Sequence, residues 1–66
     1  MRIEMKIKEI RKEKNVTISE LSKQSGVARS HICNIENGVK QPTLYVLLRL
    51  AKALDVKITE LFVVHW

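Results

Sequence analysis

Apolar positions recur at helical spacing along most of the chain. Ile3, Ile7 and Ile10 lie three or four residues apart with charged residues between them, which predicts a first helix at about residues 5–14. Residues 1–5 also alternate between apolar and polar, as a half-buried strand does. We therefore expect an extended start that leads into this helix.

A short second helix has clear start and stop signals. Thr17 and Glu20 form a capping-box pattern, in which the Thr hydroxyl accepts the backbone N–H three residues along and the Glu side chain accepts the Thr N–H. Gly26 follows about two turns later, where a residue without Cβ can take positive φ and end the helix. Leu21 is the expected core residue, and Ser22 is small enough to mark the crossing point with the next helix.

A third helix over about residues 28–37 follows directly, with a second stop signal at Gly38. Two helices separated by so short a turn cross steeply, so residues 17–38 are predicted to form a helix-turn-helix arrangement. Ile32 and Ile35 recur at the spacing of one buried stripe. The opposite stripe consists of Arg29, Ser30, Cys33, Asn34 and Asn37.

The rest of the chain predicts an apolar helix over residues 44–54 and a short fifth helix at about 58–62. Pro42 bars helix continuation, Thr43 is a suitable N-cap, and Asp55 tolerates the left-handed conformation that a C-cap needs. The apolar residues of the 44–54 helix cover more than one stripe, so we expect core contacts on several sides. They are Leu44, Leu47, Leu48, Leu50, Ala51 and Leu54.

The last five residues, Phe-Val-Val-His-Trp, are strongly apolar for a chain end. A domain this small has little left to bury them against. They therefore pair with the extended N-terminal residues, cover a partner subunit, or do both.

Composition narrows the class of protein. Sixty-six residues make one small domain of marginal stability, and the single cysteine supports neither a disulfide nor a zinc site, which indicates a reducing cytoplasm. No secretion signal or membrane-spanning run is present. The net charge of +5 favours nucleic acid or an anionic membrane surface as partner. No catalytic set or phosphate-binding glycine loop occurs, so we expect no enzyme, no cofactor and no metal.

Several of these segments together resemble the Cro/C1-type (lambda-repressor-like, XRE-type) helix-turn-helix DNA-binding domains of prokaryotes and phages. The resemblance covers residues 7–62. It rests on the I-x-x-I-R-K-E-K opening, Leu21, Gly26-Val27, the S-H-I-x-N-I-E-N-G block, Pro42-Thr43-Leu44, and L-A-K-A-L-D-V followed by E-L-F. It implies an all-α, five-helix fold, with a small strand pairing of the two tails as an option.

The resemblance also implies functional residues, because the second helix of such a motif lies in the major groove. The implied base contacts are Arg29, Ser30 and Asn34, with His31 or Cys33 as marginal additions. The implied phosphate contacts are Thr17, Ser19, Asn37, Lys40 and Thr43. Ile18 departs from the family, since many relatives have Gln there. Relatives also often pair an arginine of the first helix with a glutamate near the end of the recognition helix, here Arg11 and Glu36.

We therefore expect a homodimeric transcriptional regulator that binds a pseudo-palindromic double-stranded DNA operator. Repression is the expected mode of action. The expected dimer interface comprises Val56, Ile58, Phe62, Val63, Val64 and Trp66. An alternative is a protein-interaction module of antitoxin or antirepressor type on the same scaffold, with a regulatory protein as partner. RNA binding is disfavoured, because the chain lacks a platform of aromatic side chains on which RNA bases usually stack. A redox role for Cys33 is disfavoured, because Arg29 is the only expected neighbour that could activate its thiol.

Overall fold

Four α-helices and one small antiparallel sheet form the fold in a computed structural model that describes residues 1–66. A single turn of 3-10 helix at Ile58–Glu60 joins the last helix to the last strand. The elements in chain order are β1 (Arg2–Met5), α1 (Ile7–Glu13), α2 (Ile18–Ser25), α3 (Arg29–Glu36), α4 (Leu44–Leu54) and β2 (Phe62–His65). No helix has the length and apolar character needed to cross a bilayer.

The helix ends follow their local capping chemistry. Thr17 Oγ1 accepts the Glu20 N–H at 3.1 Å, and Glu20 Oε1 accepts the Thr17 N–H at 3.0 Å, so the predicted capping box is confirmed. Gly26 ends α2 with φ of 73°. Thr43 Oγ1 accepts the N–H three residues along, and Asp55 ends α4 in the left-handed conformation with φ of 57°. All four predicted caps are therefore confirmed.

One apolar cluster fills the interior and joins all four helices. Its members are Ile7, Leu21, Val27, Ile32, Ile35, Leu47, Leu50, Ala51, Leu54 and Leu61. The buried stripe of α3 is the predicted one, since Ile32 and Ile35 are completely buried. That stripe fixes which face of α3 points to solvent.

The predicted count of five helices is not confirmed, because the segment after α4 forms only the 3-10 turn at Ile58–Glu60 before the chain extends. Phe62, predicted to end a fifth helix, pairs with Met5 across the sheet, and Arg2 pairs with His65. Lys6 N–H donates to the Leu61 carbonyl at 2.7 Å and anchors the open end of the sheet. The pairing of the tail with the extended N-terminal residues is thus confirmed.

Charged side chains link the outer face of this sheet. Lys6 Nζ donates to Glu4 Oε2 at 2.9 Å, and His65 Nε2 lies 2.9 Å from Glu4 Oε1. The hydrogen bond from Lys6, followed by that from His65, lowers the pKa of the Glu4 carboxyl to about 2. Glu4 therefore interacts with both Lys6 and His65, and its carboxylate links the two strands of the small sheet.

The prediction that α4 is packed on several sides was wrong for two leucines. Leu44 is 67% exposed and Leu48 is 49% exposed, whereas Leu47 and Leu50 are buried. Leu44 and Leu48 lie one turn apart on the same side of α4, and the core lies against the other side. An apolar stripe of α4 is consequently left facing solvent.

Candidate nucleic-acid interface

The turn between α2 and α3 is held by two serine hydroxyls. Ser22 Oγ donates to the Val27 carbonyl at 2.7 Å, and Ser25 Oγ accepts the Val27 N–H at 3.2 Å. Gly26 supplies the positive φ between them. Both polar groups of Val27 are thereby satisfied, and the direction in which α3 leaves the turn is fixed. The small Ser22 was expected at the crossing, but the role of Ser25 was not.

Arg49 covers the same turn from α4. A Cβ added to Gly26 would lie 3.4 Å from an Arg49 guanidinium nitrogen, and this guanidinium also stacks on the Tyr45 ring at 5.1 Å from its centroid. Arg49 was not among the predicted functional residues. The available signal was the four-residue spacing of Tyr45 and Arg49, which places the two side chains on one helix face.

The predicted reading residues share the solvent-facing side of α3. Arg29 and Ser30 are exposed in the first turn, directly after the α2–α3 turn, and Asn34 is half-buried one turn further on. Arg29 takes part in none of the salt bridges of the domain. Its guanidinium is therefore free to donate to an external acceptor.

The two marginal candidates lie beside these residues. Cys33 is exposed, and its sulfur accepts a weak hydrogen bond from Asn37 Nδ2 at 3.6 Å. His31 is half-buried. No group of three or more His, Cys, Asp or Glu side chains lies close enough together to hold a metal ion.

The predicted phosphate contacts lie at two helix N-termini and in the segment between α3 and α4. Thr17 and Ser19 are exposed at the start of α2, but the Glu20 carboxylate already accepts the Thr17 N–H. This hydrogen bond lowers the pKa of Glu20, so an anion at α2 meets a negative charge. The first turn of α4, capped by Thr43, contains no acidic residue. The start of α4 is thus the more favourable of the two positions for a phosphate.

Asn37 and Lys40 are exposed beyond the end of α3. The backbone N–H groups of Val39 and Lys40 both donate to the Asn34 carbonyl, at 2.9 and 3.3 Å. The segment is therefore tied to the last turn of α3, and Lys40 is presented from a fixed backbone.

A nearly buried ion pair joins α1 to the end of α3. Arg11 Nε donates to Glu36 Oε2 at 2.9 Å, and a second guanidinium nitrogen donates to Glu36 Oε1 at 3.2 Å. The third nitrogen donates to the Val16 carbonyl at 3.0 Å. The side chains of Arg11 and Glu36 are only 11% and 3% exposed, and the hydrogen bond to Glu36 raises the pKa of Arg11. The pair expected from the resemblance is present with bidentate geometry.

The six residues expected at a dimer interface differ in accessibility. Trp66 is 93% exposed and Val63 is 39% exposed. The other four, Val56, Ile58, Phe62 and Val64, are half-buried. Three of these, Val56, Ile58 and Phe62, pack against the domain's own core. A partner subunit could therefore reach mainly the outer side of β2 and the C-terminal tryptophan.

Comparison with known proteins gives a consistent family. The family model described as helix-turn-helix matches residues 7–61. The chain is 37% identical over 57 residues to the HTH-type transcriptional regulator SinR of Bacillus subtilis, covering 85% of this chain and 51% of SinR. The chain thus spans about half the length of this curated relative.

Solved structures agree with the sequence comparison. The restriction-modification controller protein C.AhdI of Aeromonas hydrophila superposes with a TM-score of 0.81 at 33% identity, covering 83% of each chain. SinR in complex with DNA superposes with a TM-score of 0.78 at 36% identity, covering 82% of this chain and 87% of that one. SinR has also been solved in complex with the SinI protein, with the same TM-score and identity over 83% of this chain and 54% of that one.

Proposed function

The chain belongs to the helix-turn-helix family, and on that premise we propose that it is a sequence-specific double-stranded DNA-binding transcriptional regulator. Its α3 lies in the major groove. The observation that carries the proposal is the exposed, unpaired Arg29 with Ser30 in the first turn of a helix whose opposite face is completely buried. In helix-turn-helix proteins that first turn is the part that contacts base edges.

The chemistry of the exposed stripe suits base recognition. Arg29 donates two hydrogen bonds to O6 and N7 of guanine, and Asn34 pairs bidentately with adenine. Ser30 donates to or accepts from either base type. The half-burial of Asn34 limits its reach, so Arg29 carries the larger share of the discrimination.

Phosphate contacts fix the register of α3 on the duplex. Thr43 and the free N–H groups of the first turn of α4 bind one phosphate, and Asn37 and Lys40 bind its neighbour. Thr17 and Ser19 contribute through their hydroxyls, since Glu20 occupies the Thr17 N–H. The net charge of +5 supplies the long-range attraction to the duplex.

The active form in this proposal is a homodimer on a pseudo-palindromic operator, and its action is repression. One recognition helix contacts only a few base pairs, so two copies related by a two-fold axis place α3 in grooves about one helical turn apart. Val63 and Trp66 form the accessible centre of the interface, bordered by Val56, Ile58, Phe62 and Val64. Repression requires only that the bound dimer occupies a promoter.

The readout test compares specific with random DNA. After a cognate site has been selected from a random pool, Arg29→Ala should weaken binding to it by about 1–3 kcal/mol and relax one base position, as fluorescence anisotropy would show. Lys40→Ala should weaken cognate and random DNA alike. Lys57→Ala, an exposed lysine after α4, is the matched control. Equal losses on both DNAs for Arg29→Ala would refute base readout.

The test of homodimer formation must leave the pairing of β1 with β2 intact. Deleting residues 63–66 would also remove most of β2, which pairs with β1. Val63→Lys with Trp66→Ser leaves the backbone pairing intact and places a charge at the expected interface. Sedimentation velocity should then show monomers. A double variant that still sediments as a dimer would move the interface to another surface.

A second candidate function, a protein-interaction module, is favoured by the solvent-facing side of α4. Leu44, Tyr45 and Leu48 are 67%, 64% and 49% exposed there. SinR, a relative of this chain, has been solved both with DNA and with a protein. Leu44→Ser with Leu48→Ser tests this candidate, because a protein-interaction role predicts that the double variant loses a co-purifying partner protein. A role in DNA binding alone predicts that the double variant co-purifies the same proteins as the wild type.

A further inference from the structure

A cleft of about 410 Å³ lies between β1 and the segment that joins α3 to α4. Its volume is within the range of about 300–1,000 Å³ that is typical of small-molecule sites. Five apolar side chains from four different elements line it. They are Ile3, Met5, Ile35, Leu47 and Phe62.

The outer edge of β1 borders this cleft. All four residues of β1 line it, but only Phe62 of β2 does. The register and the bond from Lys6 N–H to the Leu61 carbonyl place residues 2, 4 and 6 in the positions that hydrogen-bond to β2. The backbone N–H groups of Ile3 and Met5 therefore point away from β2, where they have no backbone acceptor.

The charges around the cleft are unbalanced. Its two acidic residues already have cationic partners, because Glu36 binds Arg11 and Glu4 binds Lys6. Its two basic residues, Arg2 and Lys40, are exposed and take part in no salt bridge. Two unpaired cations and outward N–H donors thus surround an apolar floor.

We propose that this β1 cleft binds a small organic carboxylate, whose apolar body contacts Met5, Leu47 and Phe62 and whose carboxylate meets Arg2 and Lys40. Charge complementarity selects the anion, and a volume of about 410 Å³ is sufficient for a body of about two fused rings. A neutral molecule of the same shape would leave both cations without a partner. The binding reaction does not depend on DNA, so its test uses none.

The test titrates the 66-residue chain with 2-naphthoate and follows backbone amides by two-dimensional NMR. Saturable shifts are expected at Ile3, Met5, Gly38 and Leu47. The uncharged 2-naphthamide, of nearly the same shape, should bind more weakly. Arg2→Gln and Lys40→Gln should each lower the affinity for 2-naphthoate by up to about fivefold, because an exposed ion pair is worth at most about 1 kcal/mol.

Lys57→Gln is the matched control, since this exposed lysine does not line the cleft, and it should leave the affinity for 2-naphthoate unchanged. Equal binding of the amide and the carboxylate would overturn the proposal. Shifts confined to Leu44 and Leu48 would also overturn it, because they would show adsorption to the exposed apolar stripe of α4. Concentration-dependent shifts of Gly38 and Leu47 without any probe would show that a second copy fills the cleft, and would overturn the proposal as well. Ile3 and Met5 do not serve for this control, because they pair with β2, where the dimer interface is expected.

Discussion

Removing one partner of the Arg11–Glu36 pair should produce a large loss in the free energy of unfolding, and the structure allows its size to be worked out. Glu36→Leu leaves the Arg11 guanidinium with only its bond to the Val16 carbonyl. Arg11→Met leaves the Glu36 carboxylate, 3% exposed, without its cation. Breaking a buried pair in this way costs about 3–5 kcal/mol, because the remaining charge stays out of water without compensation.

This loss is large compared with the whole stability of the domain. At roughly 0.05–0.15 kcal/mol per residue, a chain of 66 residues has a free energy of unfolding of about 3–10 kcal/mol. Either single variant should therefore lose between about a third and all of the stability of the domain. The double variant Arg11→Met/Glu36→Leu removes both charges and should be at least about 2 kcal/mol more stable than either single one.

Urea unfolding followed by far-UV circular dichroism measures these differences at a fixed protein concentration. Tryptophan fluorescence is a poor probe, since Trp66, the only tryptophan, is 93% exposed in the folded chain. Lys12→Met removes a positive charge from the exposed side of α1 and should change stability by less than about 0.5 kcal/mol. If the double variant loses as much as the two single variants together, the argument from an uncompensated buried charge is refuted.

Three further predictions concern the caps, the glycine turns and the small sheet. Thr17→Ala should cost about 0.5–2 kcal/mol by thermal unfolding while Thr17→Ser restores most of it; equal losses would mean that the hydroxyl does not cap α2. Gly26→Ala and Gly38→Ala should each cost about 1–2 kcal/mol from positive φ alone, and a much larger loss at Gly26 would show that the covering guanidinium cannot move aside. The folded pKa of Glu4 lies below 4.5, so its ionised form adds stability above pH 4.5 that is lost as pH falls toward 2. Wild type should exceed Glu4→Gln in melting temperature at pH 7 and match it near pH 2; a difference independent of pH would contradict this.

The helices were predictable because their ends depend on local chemistry. Thr17 and Thr43 each accept the N–H three residues along, and Gly26 and Asp55 adopt positive φ, without help from distant residues. The sequence could therefore fix three of the four helices almost to the residue. The small sheet was predictable only as one of two options, since its partner strands are separated by almost the whole chain.

The features that could not be predicted depend on contacts between residues that are distant in the sequence. Leu44 and Leu48 have the same side chain as the buried Leu47 and Leu50, and only the packing of the other helices against one side of α4 separates them. A fifth helix was expected from local pattern, but pairing of Phe62 with Met5 requires an extended backbone there. Tertiary packing decided both cases, but only at Phe62 did it override the local helix propensity.

The residues that fix α3 in the fold are different from the residue proposed to contact DNA bases. At its start the hydroxyls of Ser22 and Ser25 hold the turn, and at its end Glu36 is bound to Arg11. None of these contacts involves Arg29, which is exposed and takes part in no salt bridge. Arg29→Ala should therefore change the free energy of unfolding by less than about 0.5 kcal/mol in urea, whatever it does to DNA affinity. A larger loss of stability would mean that Arg29 supports the fold, and its effect on DNA binding could then no longer be assigned to base contact.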